Sequence, residues 1–359
     1  MSDSFAYTST IDAARAAAML RGAQRIAVIT HWKPDGDAMG SLLALARALR
    51  ATGADVQAFV AGPMDPNVLT LSMPGEVLVA PAQMPTADRE LAVVVDTGAW
   101  SQLDPFQDWL RSMRGRVLGL DHHARGDDIA ESRIVDTSCA SATQVVASVV
   151  DALGVPFAGP GGARGSIAEA IFAGLATDTG WFRFKSADSA VFALASRLLA
   201  LGVENQRLVQ LLDENERPPR LGMMSRALAS IEYAGGGTVA IMHLGPEDFS
   251  ASGARQEDIG GVVNVPMVVG SVRVSVLLTQ VPGDGAVTKI SFRSKPAVLE
   301  GQRFTDVNRL AAEFGGGGHA QAAGARLDMP VVEARDRIRD AVERAVAAAI
   351  PLQPSRSGA

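Results

Sequence analysis

Six side chains in this chain could hold metal ions between them, and each stands where an apolar run ends. His31, Asp35 and Asp37 lie in "VITHWKPDGDAMGS", Asp96 closes "LAVVVD", His122 follows "VLGLD", and Asp178 follows the helix-like "FAGLAT". The chain has five histidines, and three of them, His31, His122 and His123, fall in these stretches. A single aspartate at a strand end is ordinarily a turn or helix-cap residue. Six imidazole and carboxylate donors at one sheet edge are different, because without a cation they would repel one another and be costly to desolvate. Two divalent ions make the same arrangement favourable. Mixed nitrogen and oxygen ligation suits Mn2+, Mg2+, Co2+ or Zn2+ better than Ca2+.

The elements that must position these groups are legible from hydrophobic periodicity. Strands are expected at 25–30, 55–60, 91–96 and 117–121, and helices at 38–51, 142–153, 166–176 and 189–201. Several of these strands are unbroken Val/Ile/Leu runs, as expected of strands buried on both faces of a mainly parallel sheet. Ligand sites in such sheets lie at the carboxyl ends of the strands. The fold class is therefore α/β: a mainly parallel, Rossmann-like sheet domain over 1–203, followed by a smaller α+β domain over 235–351. The charged, helical stretch 204–234, interrupted by Pro218–Pro219, reads as a linker, and 352–359 as a disordered tail. In the second domain, "TVAIMHL", "SVRVSVLLTQ" and "VTKISFRSK" read as strands and 331–349 as a terminal helix. Ser141 and Gln144 have the spacing of a capping box.

Four motifs in order give the sequence a family resemblance. His31, Asp35, Asp37, Gly40 and Ser41 form the first, Asp96 the second, Asp121–His122–His123 the third, and Asp178–Thr179–Gly180 the fourth. Together with "GGGGHAQAAG" near the C-terminus, they resemble the DHH phosphoesterase superfamily over roughly residues 20–345. The resemblance implies two divalent metal ions, Mn2+ foremost, with Mg2+ or Co2+ as substitutes. It implies that His31, Asp35 and Asp96 hold one ion and Asp37, Asp96, His122 and Asp178 the other, with Asp96 shared. Asp121 would orient a neighbouring imidazole, and His123 would face the substrate phosphate as hydrogen-bond donor or general acid. A hydroxide shared by the two ions would then attack phosphorus in line.

The same resemblance points to a stand-alone oligoribonuclease of very short RNAs, with 3′-phosphoadenosine 5′-phosphate as a second expected substrate. A soluble phosphodiesterase of cyclic dinucleotides or their linear products is the alternative. A non-catalytic nucleotide-binding module is the third reading, and intact donors at all six positions argue against it. In the second domain, Gly315–Gly318 could form an anion-binding loop or a plain hairpin. His319 beside it, and Arg293 with Lys295 in "SFRSKP", favour substrate binding by Arg293, Gly316, Gly317, Gly318 and His319. Trp181 and Phe182 beside Asp178 could stack on a base, whereas Phe184 is equally suited to core packing.

Composition narrows the partners. The 39 acidic residues outnumber the 33 basic ones, and from Ala234 onward the two balance at 13 each. The negative excess thus lies in the half that carries the metal-type donors. A net charge of −6 argues against sequence-independent binding to duplex DNA. No apolar stretch approaches the ~20 residues of a membrane span, and no signal peptide is read. One cysteine, Cys139, excludes an internal disulfide and fits a reducing, cytoplasmic setting; packing filler is its expected role. His243 matches no motif and is expected to be structural. Short RNA or small nucleotides are the expected substrates, and a homodimer is compatible with the sequence.

Overall fold

The computed structural model describes residues 5–159, 164–283, 285–297 and 303–351. The chain divides between Asn215 and Glu216 into two units.

Unit 1 begins with α1 (Ala13–Arg21), β1 (Arg25–Trp32), α2 (Gly36–Ala51), β2 (Asp55–Ala61), α3 (Pro66–Leu69), β3 (Leu78–Ala80) and β4 (Leu91–Val95). It continues with α4 (Gln107–Ser112), β5 (Val117–Asp121), β6 (Ser132–Val135), α5 (Ala142–Leu153), α6 (Ile167–Asp178), α7 (Ser189–Ala200) and α8 (Asn205–Leu212). Its six strands pair in the order β3-β2-β1-β4-β5-β6, all parallel. Every residue of β4 and β5 is buried. Alternation sorts their side chains: Val93 and Leu118 pack towards α2, α5 and α6, and Val94 and Val117 towards Leu103, Phe106 and Leu110. A sheet covered on both sides needs apolar residues at both parities, hence the unbroken runs.

Unit 2 begins with α9 (Pro218–Ala229), β7 (Glu232–Ala234), β8 (Val239–Leu244), α10 (Pro246–Ser252), β9 (Val274–Thr279), β10 (Val287–Ser294) and β11 (Arg303–Phe304). It ends with α11 (Val307–Ala312), β12 (Gly317–His319), β13 (Ala322–Asp328), α12 (Val331–Ala347) and β14 (Ile350–Pro351). The main sheet runs β12-β13-β10-β9-β8-β7, antiparallel except for β8–β9. One face packs on α11 and α12, and Met242, Leu244 and Leu277 of the other pack on residues of α9 and α10.

Several boundaries differ from the sequence expectation, and the differences bear on the site. β1 runs on to Trp32, with a register shift between Ile29 and Trp32. α2 starts at Gly36, so Asp37 lies in its first turn. α6 extends through Asp178, which is its last residue. Within 204–234, α8 belongs to unit 1, and α9 and β7 to unit 2. Pro218 and Pro219 open α9 instead of breaking a helix, since the first turn needs no amide donors. The expected tail, 352–359, lies outside the described residues.

Candidate active site

The donors sit where the carboxyl ends of the parallel strands meet the helices that follow. Asp35 is the N-cap of α2: its Oδ1 accepts the amides of Asp37 and Ala38, both at 3.0 Å. The Asp37 carboxylate is wholly buried and accepts the amides of Ala142 (2.6 Å) and Thr143 (3.1 Å) at the start of α5. The expected capping box of Ser141 and Gln144 is thereby replaced. Ser141 makes no cap bond to the helix, and Gln144 instead accepts the amide of Ala140 at 2.7 Å.

Asp96 is the central residue. It follows β4 in the left-handed region, φ +59°, a conformation Asp tolerates better than most residues. Its side chain is 3% exposed, and Oδ1 has no hydrogen-bond partner among the described residues. Burial, then the carboxylates of Asp37 and Asp35, raises its pKa well above the usual range. Asp37 is likewise pushed up to about 8, by burial and then by Asp178. Asp178 is pushed up to about 6, by burial and then by Asp35.

Asp178 reaches this cluster because α2 and α6 cross backbone to backbone. A Cβ on Gly40 would lie 2.5 Å from the Ala170 carbonyl oxygen, and one on Gly174 would lie 2.8 Å from Asp37 Oδ1. Gly174 is a functional position that the sequence reading missed. A glycine inside an apolar helix, which costs about 1 kcal/mol against alanine, was the available signal.

The third motif separates its two imidazoles. His122 Nδ1 faces the Cys139 carbonyl at 3.3 Å, which leaves Nε2 turned towards the aspartates. His123 Nδ1 lies 2.8 Å from Asp121 Oδ1, so the imidazole that Asp121 orients is His123. Burial lowers the pKa of His122, whereas the hydrogen bond to Asp121 raises that of His123. Burial opposes ionisation of Asp121, but the bond from His123 and its other donors outweigh this and hold its pKa down. Cys139 contributes its carbonyl here; burial pushes its thiol up to about 12, as befits packing and not reactivity.

His31 Nε2 lies 3.9 Å from Asp35 Oδ1 and 3.6 Å from Asp96 Oδ2. His122 Nε2 lies 3.6 Å from Asp96 Oδ1, 3.8 Å from Asp37 Oδ2 and 3.7 Å from Asp178 Oδ2. These gaps are too long for hydrogen bonds. Donors each about 2.1 Å from a common cation stand roughly 3–4 Å apart. His31, Asp35 and Asp96 form one group able to hold a metal ion, and Asp37, His122 and Asp178 another. Asp96, His122 and His123 are also close, but His123 Nδ1 is engaged by Asp121 and offers no lone pair there. The donor set fits divalent cations: Asp96 Oδ1 is buried without a hydrogen-bond partner among the described residues, and the neighbouring carboxylates crowd against it.

In unit 2, Gly317–His319 form edge strand β12 of a hairpin with β13; of the loop and hairpin readings, the backbone takes the hairpin, with Gly316 just before it. A Cβ on Gly316 would lie 2.1 Å from the Gly324 carbonyl oxygen, so glycine is required there. His319 pairs with Ala322, Ala322 with Arg293, and Arg293 with Ser275. Arg293 and His319 therefore share one transverse row, on the face away from α11 and α12, about 10 Å apart across two strand spacings. Burial lowers the pKa of the Arg293 guanidinium, and Lys295 Nζ donates to the Val269 carbonyl at 3.0 Å. Trp181 and Phe182 pack on the unit 1 core, Phe182 against Phe172 and Phe192. The exposed aromatic beside Asp178 is Phe184, at 57%.

Residues 25–175 match the DHH family, N-terminal domain, and residues 236–348 the DHHA1 domain. The bifunctional oligoribonuclease and PAP phosphatase NrnA of Thermus thermophilus is 33% identical over 320 residues, covering 88% of this chain and 89% of that protein. An exopolyphosphatase-related protein from Bacteroides fragilis has the same fold, with a TM-score of 0.82 at 23% identity, over 93% of this chain and 97% of that one. RecJ of Thermus thermophilus in complex with Mn2+ gives 0.53 at 17% identity, over 95% and 55%. A parallel α/β unit with clustered acids at its strand ends, joined to a smaller mixed-sheet unit, is the architecture of a DHH–DHHA1 protein. This chain belongs to the DHH family. No helix among the described residues is long and apolar enough to cross a membrane.

Proposed function

We propose that this chain is a metal-dependent hydrolase of phosphoric esters, acting on short oligoribonucleotides and on 3′-phosphoadenosine 5′-phosphate. The observation that carries the reading is Asp96, whose two buried oxygens face His31 on one side and His122 on the other. The 33% identity to an oligoribonuclease and PAP phosphatase supports the substrate class.

In this reading His31, Asp35 and Asp96 hold one divalent ion, and Asp37, Asp96, His122 and Asp178 a second, with Mn2+ the foremost candidate. Bound there, the cations supply Lewis acidity, polarising phosphoryl oxygens and making water acidic enough to serve as a nucleophile near neutral pH. The chain does the rest. The α5 amides fix the Asp37 carboxylate, and the Cys139 carbonyl selects the His122 tautomer whose Nε2 lone pair points at the aspartates. His123, held by Asp121 through Nδ1, presents its other edge to the substrate phosphate and donates to a phosphoryl or leaving oxygen. In unit 2, Arg293, His319 and the backbone of Gly316, Gly317 and Gly318 are the groups suited to binding nucleotide. A cytoplasmic setting suits these substrates.

The test is a substrate panel at fixed Mn2+: short RNA, 3′-phosphoadenosine 5′-phosphate, pApA, cyclic di-AMP and pyrophosphate. Short RNA and 3′-phosphoadenosine 5′-phosphate should be hydrolysed fastest, and EDTA should stop both. Preference for cyclic di-AMP or pyrophosphate would overturn the assignment.

A further inference from the structure

Asp121 has a donor that the family motifs do not include. The Tyr7 hydroxyl donates to Asp121 Oδ2 at 2.7 Å, from 114 positions away in the chain. The other oxygen, Oδ1, receives the His122 amide at 2.8 Å, the His123 amide at 3.3 Å and His123 Nδ1 at 2.8 Å. Asp121 itself is completely buried. Tyr7 thus engages the one carboxylate oxygen that His122 and His123 leave without a donor.

The delivery of Tyr7 is built into the fold. Residues 5–11 run along β6, the edge strand of the parallel sheet. The Thr10 amide donates to the Arg133 carbonyl at 2.9 Å, and the Ser9 hydroxyl accepts the Val135 amide at 2.9 Å. Arg133 Nη2 donates to the Ala6 carbonyl at 3.0 Å, with its guanidinium 4.8 Å from the Phe5 ring centre and 5.9 Å from that of Tyr7. The Tyr7 ring then enters between two site loops. A Cβ on Gly98, two residues after Asp96, would lie 2.2 Å from the ring, and one on Gly126, three after His123, would lie 2.6 Å from it. Both loops are glycine where the ring passes.

We propose that Tyr7 is a positioning residue for the reaction, clamping Asp121 so that His123 is held in one ring orientation with its Nε2 edge towards the substrate. The proposal rests on the role given to His123 above. Tyr7 acts through Asp121 and does not touch the phosphate.

Tyr7→Phe keeps the ring, its glycine cradle and the Arg133 contact, and removes only the donor. On a dinucleotide substrate kcat should fall roughly tenfold, with KM and bound metal unchanged. In a His123→Ala background the same substitution should change kcat by less than about twofold, because the group being positioned is gone. A second readout needs no substrate: in Mg2+-loaded protein, the downfield Nδ1–H proton resonance of His123, identified by its loss in His123→Ala, should shift or vanish in Tyr7→Phe. A shifted resonance in a protein that hydrolyses none of the panel would retain the clamp and sink the substrate reading. Wild-type kcat and an unmoved resonance in Tyr7→Phe, or an equal fall in kcat with and without His123, would overturn the proposal.

Discussion

Asp37 accepts the Ala142 amide at 2.6 Å across 105 residues of chain, so a metal-type donor also caps the helix α5. The helix N-terminus favours the ionised carboxylate, and the two amides fix its orientation. Asp37 is thus tied to the fold more firmly than Asp178, which accepts no amide among the described residues.

This difference sets the first prediction. In metal-free protein, Asp178→Ala removes one charge from a crowded cluster and should raise stability. Asp37→Ala relieves less charge, since burial keeps that carboxyl largely protonated, and it also uncaps α5, so it should end on the order of 1–2 kcal/mol less stable than Asp178→Ala. Urea melts in EDTA measure the gap, and equal midpoints would show that the cap contributes nothing.

Asp96→Ala should abolish hydrolysis and lower metal content at both sites, because one carboxylate serves both groups of donors. Metal analysis after dialysis checks it; loss of a single equivalent would restrict Asp96 to one ion. His123→Ala, by contrast, should keep its metal and lose rate.

The raised pKa values of Asp37 and Asp178 dictate a pH dependence for the metal-free protein. Folded, these groups titrate at about 8 and about 6; unfolded, near 3.8. Between those limits the folded state binds more protons, so stability is highest at the acid end and falls as pH rises through about 6 and then 8. Saturating Mn2+ takes the place of the protons and should abolish the fall. A midpoint in EDTA that climbs between about pH 5 and 8 would contradict the assignment.

Gly174→Ala places a methyl group 2.4 Å from the Thr143 side chain and against the Asp37 carboxylate. The expected cost is about 1–3 kcal/mol of stability, with weaker metal binding. Gly270→Ala, which meets nothing within 4 Å, is the control and should stay within about 0.5 kcal/mol.

Removing Arg293 should raise KM for dinucleotides by on the order of 1.5–3 kcal/mol, the scale of a lost charged hydrogen bond. A small reporter such as bis-p-nitrophenyl phosphate should be affected far less. Equal losses on both would assign Arg293 to the stability of unit 2.

The sequence disclosed most where residue type and local period carried the information. β1, β4 and β5 are apolar at both parities, and His31, Asp35, Asp96 and His122 stand at or just beyond their ends. Strands β3 and β6 were missed because short edge strands such as "LVA" and "SRIV" lack that period. The capping of α5 by Asp37 and the bond from Tyr7 to Asp121 were beyond reach for another reason: each joins residues more than a hundred positions apart, and no local pattern records them. Ser141 had the right local chemistry for a cap and lost the amides to a stronger, charged acceptor.

The crossing of α2 and α6 has a consequence for ion size. With Gly40 and Gly174 in close contact, the N-terminal part of α2 is packed directly on the C-terminal part of α6. Facing it is the loop that leads from His31 to the Asp35 cap, where Lys33 sits at φ +58° and the Asp35 side chain is 64% exposed. If the proposed ions are held here, a cation of a different radius is expected to be accommodated by that strained, solvent-facing loop, so substitutions at Lys33 should alter the ranking of Mg2+, Mn2+ and Ca2+ affinities.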